Sequence, residues 1–387
     1  MRILIAIGVP RQQEAGAAAV ALNQARELGK RGHWVETWFL EDVLGQPGRG
    51  GRFEALQFAV GVAQRIRREK KNYDVVNLHA PWGCAYGVWR RMLQPAGAPP
   101  YAFTLQGSEE RYVEAMSEED RKGRAWNFGW KNRLWHRAYH QTMYDFSILT
   151  ADAGAAANRE AAEVVRRKYQ RDAEKFVYVP NGTEERFFAS REYRANSPTR
   201  LLYVGTWLDR KGVYYLVDAF ELLAKKIPDV QLTVAGSLGP EEDVKRFVSE
   251  DVRGRVNVLP LVKREKMPEL YAEHDIFVFP SLMEGMPLAL LEAMAAGMPV
   301  VTTRTCGMAD VVDDNVNGLL VPPADGEALA EATERLCRSE ELRKRLGEAG
   351  QRTMRDYTWE RVTEQLERVL ERAARDGGAG IGRSGER

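Results

Sequence analysis

Two carboxylates, Glu284 and Glu292, stand in the run P-S-L-M-E-G-M-P-L-A-L-L-E-A-M-A-A-G-M-P-V-V-T at residues 280–302. Glu292 is flanked by Leu290, Leu291, Ala293 and Met294, and a charge in such company is seldom buried without a partner. Its carboxylate is suited to accept hydrogen bonds from vicinal sugar hydroxyls; the plainer alternative is a solvated helical charge. Glu284 either faces a reacting ligand beside the start of the following helix or is an ordinary exposed loop acid.

The elements that must hold these acids can be read around them. Residues 276–279, I-F-V-F, are apolar and β-favouring, and 281–285 is turn-like. Pro287 suits the first position of a helix, 288–296 is helix-forming, Gly297 fits its C-terminal cap and Pro299 prevents continuation. Val300-Val301 opens another buried strand. The helix therefore starts at the carboxyl end of a parallel strand, where unpaired N–H groups attract phosphates and other anions.

The stretch E-G-M-P-L-A-L-L-E-A-M-A-A-G-M-P-V-V resembles the E-x7-E signature of retaining glycosyltransferases of GT-B architecture, specifically the large family four (glycosyl transferases group 1), and the resemblance runs to about Trp359. It implies that Glu292 holds the donor's ribose hydroxyls, while Glu284 and the backbone of Gly285, Met286, Pro287 and Leu288 orient the sugar. Lys211, in G-T-W-L-D-R-K-G at 205–212, matches a cation that clamps the diphosphate. Thr206 stands where the family usually carries Arg, which leaves Arg210 to supply that charge. Fixed cations stabilise a departing diphosphate; the alternative for this pair is a solvated loop. By the same resemblance Gly16 lies against the donor's phosphate and sugar, Gly205 and Gly236 allow close passage of the donor, and Leu261 and Val262 border the base. Gln106 occupies a position often held by His, so it and His79 are expected on the acceptor and sugar side. A lone His such as His79 is as often structural as functional. No D-x-D occurs in the chain, so neither an obligatory metal nor another cofactor is expected; a UDP- or GDP-hexose is the substrate.

The 387 residues suffice for two domains, and 44% hydrophobic with 29% charged residues is ordinary for a soluble enzyme. No apolar run approaches the roughly 20 residues of a membrane span, and the opening M-R-I-L-I-A-I-G reads as a buried first strand rather than a signal peptide. Cys84, Cys306 and Cys337 are scattered without a C-x-x-C, which favours neither a disulfide framework nor zinc. The cytoplasm is the expected compartment. Net charge is +1, with the excess of Lys and Arg in the first half, a hint of an anionic partner there.

Strand-like and helix-like segments alternate throughout, the pattern of parallel sheets covered by helices. The expected fold is α/β: two Rossmann-like, doubly wound parallel-sheet domains facing a central cleft. Residues 1–185 form the acceptor-binding domain and 199–357 the nucleotide-sugar domain. A helix at 359–374 crosses back to the first domain, and 375–387 is a disordered tail. Residues 146–150 are read as a strand and 151–169 as a helix. Residues 121–144 contain no acid and interleave Trp126, Phe128, Trp130, Trp135 and Tyr139 with Arg and Lys. This segment is a surface lying on an anionic bilayer, an acceptor-binding wall, or a helix packing its aromatics in the core. Nucleic acid is not expected, because no recognition motif accompanies the charge.

The function these readings point to is transfer of a hexose, with retention, from a nucleotide sugar to a glycan, lipid-linked or small-molecule acceptor, as in cell-surface polysaccharide or glycolipid synthesis. A sugar-nucleotide 2-epimerase on the same fold and a non-catalytic nucleotide-sugar-binding homologue are the alternatives. Gln106 and Thr206 keep the second open; Glu284, Lys211 and Glu292 weigh against it.

Overall fold

The computed structural model describes residues 1–11, 16–45, 51–69, 73–125, 128–188, 191–193 and 199–379. Trp126 and most of the expected tail, from 380 on, lie outside these. The chain divides into two compact units. One comprises 1–110, 130–181 and 359 onward; the other comprises 111–129 and 182–358.

The first unit holds β1 (Arg2–Ala6), β2 (Trp34–Trp38), β3 (Val75–His79), β4 (Tyr101–Leu105), β5 (Ala153–Ala156) and β6 (Phe176–Tyr178) in the order β2-β1-β3-β4-β5-β6. Every pairing is parallel. β3, β4 and β5 are buried at every position, because helices cover both faces of a parallel sheet. One such helix is Trp359–Ala379, which buries Trp359, Val362, Leu366, Val369, Leu370 and Ala373 at helical spacing and packs on β3, β4 and β5.

The second unit holds β7 (Arg200–Val204), β8 (Gln231–Ala235), β9 (Val256–Leu259), β10 (Ile276–Phe279), β11 (Val300–Thr303) and β12 (Leu319–Val321) in the order β12-β11-β10-β7-β8-β9, again all parallel. The order of strands reverses between β7 and β10 here, and between β1 and β3 in the first unit. Ligands of open α/β sheets bind at such switch points, outside the carboxyl ends of the strands.

Three expectations are corrected. Residues 146–150 are helical, within Gln141–Thr150, and the strand is Ala153–Ala156; a β-favouring composition yields here to packing against the helix Cys84–Leu93. The last helix continues through 375–379 instead of ending at 374. Its end is tied down by a Lys175–Asp376 ion pair of 2.6 Å and by Arg90 donating to the Gly377 carbonyl. Residues 111–129, expected in the first domain, group with the second unit. There the Tyr215 hydroxyl donates to the buried Glu119 carboxylate (2.7 Å), and Arg124 pairs with Asp218 (3.2 Å).

Candidate active site

In the second unit the loops after β7 and β10 meet at the switch point. Gly212 has φ +69° and a Cβ there would lie 2.0 Å from the Pro280 carbonyl oxygen, so only glycine lets the loops approach this closely. The Arg210 carbonyl accepts a hydrogen bond from the Leu282 N–H (2.9 Å), which locks the two loops in register. Gly307 closes the other side: a Cβ there would stand 2.0 Å from the Gly285 oxygen.

This clamp brings Lys211, Arg210 and Glu284 together. Lys211 Nζ lies 2.5 Å and Arg210 Nη1 3.4 Å from Glu284 Oε1, which also accepts from the Ser281 hydroxyl at 2.8 Å. Both side chains of the Lys211–Glu284 pair are little exposed, 13% and 11%. Burial works to raise the Glu284 carboxyl, but Lys211, Arg210 and the Ser281 hydroxyl outweigh it and hold it below its ordinary value. Burial, with Arg210 beside it, lowers the Lys211 ammonium against the pull of Glu284. The product is a carboxylate beside two basic side chains in the loops at the carboxyl ends of β7 and β10, a set able to receive charge that develops on a leaving group.

Pro287 occupies the N-cap of the helix Leu288–Ala295, with Met286 buried behind it. Glu292 is buried, so the solvated alternative fails. Arg264 Nη2 donates to its Oε1 (2.8 Å) and the Tyr271 hydroxyl to its Oε2 (3.0 Å). Burial raises the Glu292 carboxyl and these two donors oppose the rise. Arg264 is held in turn by Glu184 Oε1 at 2.7 Å. A carboxylate accepts about four hydrogen bonds, so Glu292 keeps acceptor capacity beyond Arg264 and Tyr271. Gly205 follows β7 with its N–H on the Ala235 carbonyl, and Gly236 (φ +79°) lies beside it. Leu261 is exposed and Val262 half-buried beyond β9.

Arg264, Tyr271, Ser281 and Glu184 were not legible as site residues. Arg264 sits in K-R-E-K, which reads as a solvated charge run, and Tyr271 looks like core. Among the described residues no set of metal-ligating side chains gathers around Lys211 and Glu284.

In the first unit His79 closes β3 and Gln106 follows β4, the adjacent strand. His79 is fully buried, and neither ring nitrogen has a hydrogen-bond partner among the described residues. Burial pushes its pKa down to about 3, so the ring is neutral at physiological pH. Gln106 Oε1 accepts from Asn181 Nδ2 (3.2 Å), while its Nε2 is buried without a partner. Gly16 opens the helix Gly16–Lys30, and among the described residues nothing lies within 4 Å of where its side chain would stand. In the 121–144 segment Phe128 is buried, Trp135 stacks on Tyr139 at 4.4 Å, and Trp130 and Leu134 are exposed (64% and 60%).

Comparison with known proteins agrees with this architecture. Residues 15–187 match Glycosyltransferase Family 4 and residues 185–353 match Glycosyl transferases group 1. Two glycosyltransferase family models thus match adjoining halves of the chain, and the fold is GT-B. It is 28% identical over 84% of its length to a phosphatidyl-myo-inositol mannosyltransferase of Mycobacterium leprae, covering 81% of that protein. It is 31% identical over 50% of its length to the capsular polysaccharide biosynthesis glycosyltransferase CapM of Staphylococcus aureus, covering 50% of that protein; several other curated relatives are likewise matched over about half their length. In fold it is similar to the sucrose-phosphate synthase of Thermosynechococcus elongatus, with TM-score 0.76, 20% identity and coverage of 96% and 98% of the two chains. It is also similar to Anabaena HepE solved with UDP and glucose, with TM-score 0.66, 18% identity and coverage of 96% and 99%.

Proposed function

We propose that this chain is a retaining hexosyltransferase using a UDP- or GDP-linked hexose. The observation that carries the reading is the Lys211–Arg210–Glu284 cluster, held at the second unit's switch point by glycine-limited loop contacts. The donor's ribose binds Glu292, whose carboxylate is fixed by Arg264 and Tyr271. Its diphosphate draws Lys211 and Arg210, and Glu284, with the backbone at 285–288, orients the hexose. As the glycosidic bond breaks, negative charge gathers on the diphosphate and the two cations stabilise it, in place of a metal. The acceptor hydroxyl attacks on the face the leaving group vacates, and its proton passes to the departing phosphate, so no protein nucleophile is needed.

The acceptor, a glycan or lipid-linked sugar, binds the first unit near His79 and Gln106, with neutral His79 and Gln106 Nε2 hydrogen-bonding sugar hydroxyls. The names of the mannosyl- and capsular-polysaccharide relatives support such acceptors. Among the described residues no helix is long and apolar enough to cross a membrane. Exposed Trp130 and Leu134, beside Lys131, Arg133 and Arg137, form the face by which the protein rests on the anionic cytoplasmic leaflet.

A screen of nucleotide sugars without acceptor tests the donor reading. One UDP- or GDP-hexose is slowly hydrolysed to the free sugar with its anomeric configuration kept, and Lys211→Ala abolishes this. Conversion of the donor to an epimer, or no turnover of any donor, would sink the proposal.

A further inference from the structure

A second constellation lies in the first unit. His136 and His140 occupy one turn of π-helix, His136–His140, in which the Gln141 N–H donates to the His136 carbonyl five residues back. Single π turns are rare and cluster at functional sites. The wide turn sets the two imidazoles nearly parallel, with centroids 4.8 Å apart and planes at 22°. Glu109, the first residue of the helix Glu109–Arg121, reaches back so that its Oε1 lies 2.5 Å from His136 Nδ1. One donor atom from each of Glu109, His136 and His140 falls within 4.8 Å of the others, and all three side chains are half-buried.

We propose that Glu109, His136 and His140 form a divalent-metal site, with zinc as the preferred ion. Two histidines four apart on one helical face, with a carboxylate from another element, are a zinc donor set. Zinc–nitrogen and zinc–oxygen bonds of about 2.0–2.2 Å place tetrahedral donors roughly 3.3–3.5 Å apart. The pair now 2.5 Å apart must open by about 1 Å and the third donor close by a similar amount, within reach of small side-chain rotations. The entering ion takes the place of the hydrogen bond between His136 Nδ1 and Glu109 Oε1, with His136 bound through an unprotonated ring nitrogen. Imidazole and carboxylate donors without thiolate suit zinc, with nickel and cobalt as competent surrogates. Three protein ligands leave a fourth position for water or for an oxygen of a bound molecule. Glu109 follows closely on Gln106, so the ion would be seated at the carboxyl edge of the first sheet.

The test uses the tag-free full chain, stripped with a chelator and titrated with zinc chloride alone in a calorimeter. One equivalent binds with a Kd in the micromolar range or tighter. His140→Ala and Glu109→Gln each weaken it at least tenfold with unchanged far-ultraviolet circular dichroism. Cobalt loaded into the unmodified chain gives a visible d–d spectrum of nitrogen and oxygen ligation, without thiolate charge transfer, so the answer does not depend on the variants folding. Absence of a saturable equivalent, its persistence in a His136→Ala, His140→Ala double variant, or a thiolate spectrum implicating Cys84, Cys306 or Cys337 would overturn the site.

Discussion

Lys211 and Glu284 hold each other in ionised form where neither is well solvated, so each should matter to both chemistry and stability. Removing one partner of a buried pair leaves an uncompensated charge, at a cost of roughly 3 kcal/mol. Glu284→Ala and Lys211→Ala should each lower transfer by about two to three orders of magnitude, the scale of losing a charge stabiliser in a dry site. The double variant Glu284→Gln, Lys211→Met should regain most of the lost denaturation midpoint but none of the activity. Acid unfolding separates Glu284 from its neighbours. Its carboxyl lies below the ordinary 4.5 in the folded chain, so the folded state binds fewer protons than the unfolded one as pH falls through that region. The stabilisation it supplies is therefore complete above about pH 4.5 and lost on acidification. Urea midpoints measured from about pH 6 to 3.5 should fall less steeply in Glu284→Gln than in the unmodified protein. His79 behaves differently. Neutral throughout, it should add no inflection between about pH 5 and 8, so His79→Asn should rescale the pH–rate profile without changing its shape.

At the scale of elements, the site depends on two loops coming within a side chain's width of each other. Gly212→Ala would force a methyl into the Pro280 carbonyl at a φ that alanine rarely adopts. Thermal unfolding should show a loss of about 2 kcal/mol or more, and activity should fall because Arg210 and Lys211 move away from Glu284. The helix Leu288–Ala295 contributes differently: its apolar faces are buried, and Glu292 is tolerated in it only because Arg264 and Tyr271 complete its hydrogen bonds. Tyr271→Phe removes one hydrogen bond to the Glu292 carboxylate, worth about 2 kcal/mol. It should raise the donor's KM several-fold with kcat nearly unchanged, whereas Glu292→Gln should raise KM further.

At the scale of the molecule, two sheets with separate cores predict separable stabilities. Leu370 is fully buried in the core of the first unit, and Leu370→Ala should cost roughly 3 kcal/mol. Calorimetry should resolve this as an earlier transition of the first unit, while nucleotide binding by the second persists to the original temperature. The sequence by itself determined the alternation of strand and helix and the strand, loop, helix and strand from Ile276 to Val301, and it singled out Glu284, Glu292 and Lys211 as candidates, because these rest on local periodicity, turn chemistry and a contiguous motif. The placement of 146–150 was misread because β-favouring residues also pack well on a helix face. Arg264 and Tyr271 stayed hidden because their partner is far along the chain, and a charge run or an aromatic says nothing about distant company. Only the tertiary structure decided that Glu292 is paired rather than solvated, that Arg210 stands over Glu284, and that Glu109 meets His136. Those facts follow from parallel strands, remote in sequence, ending side by side, and no local pattern encodes which ends will meet.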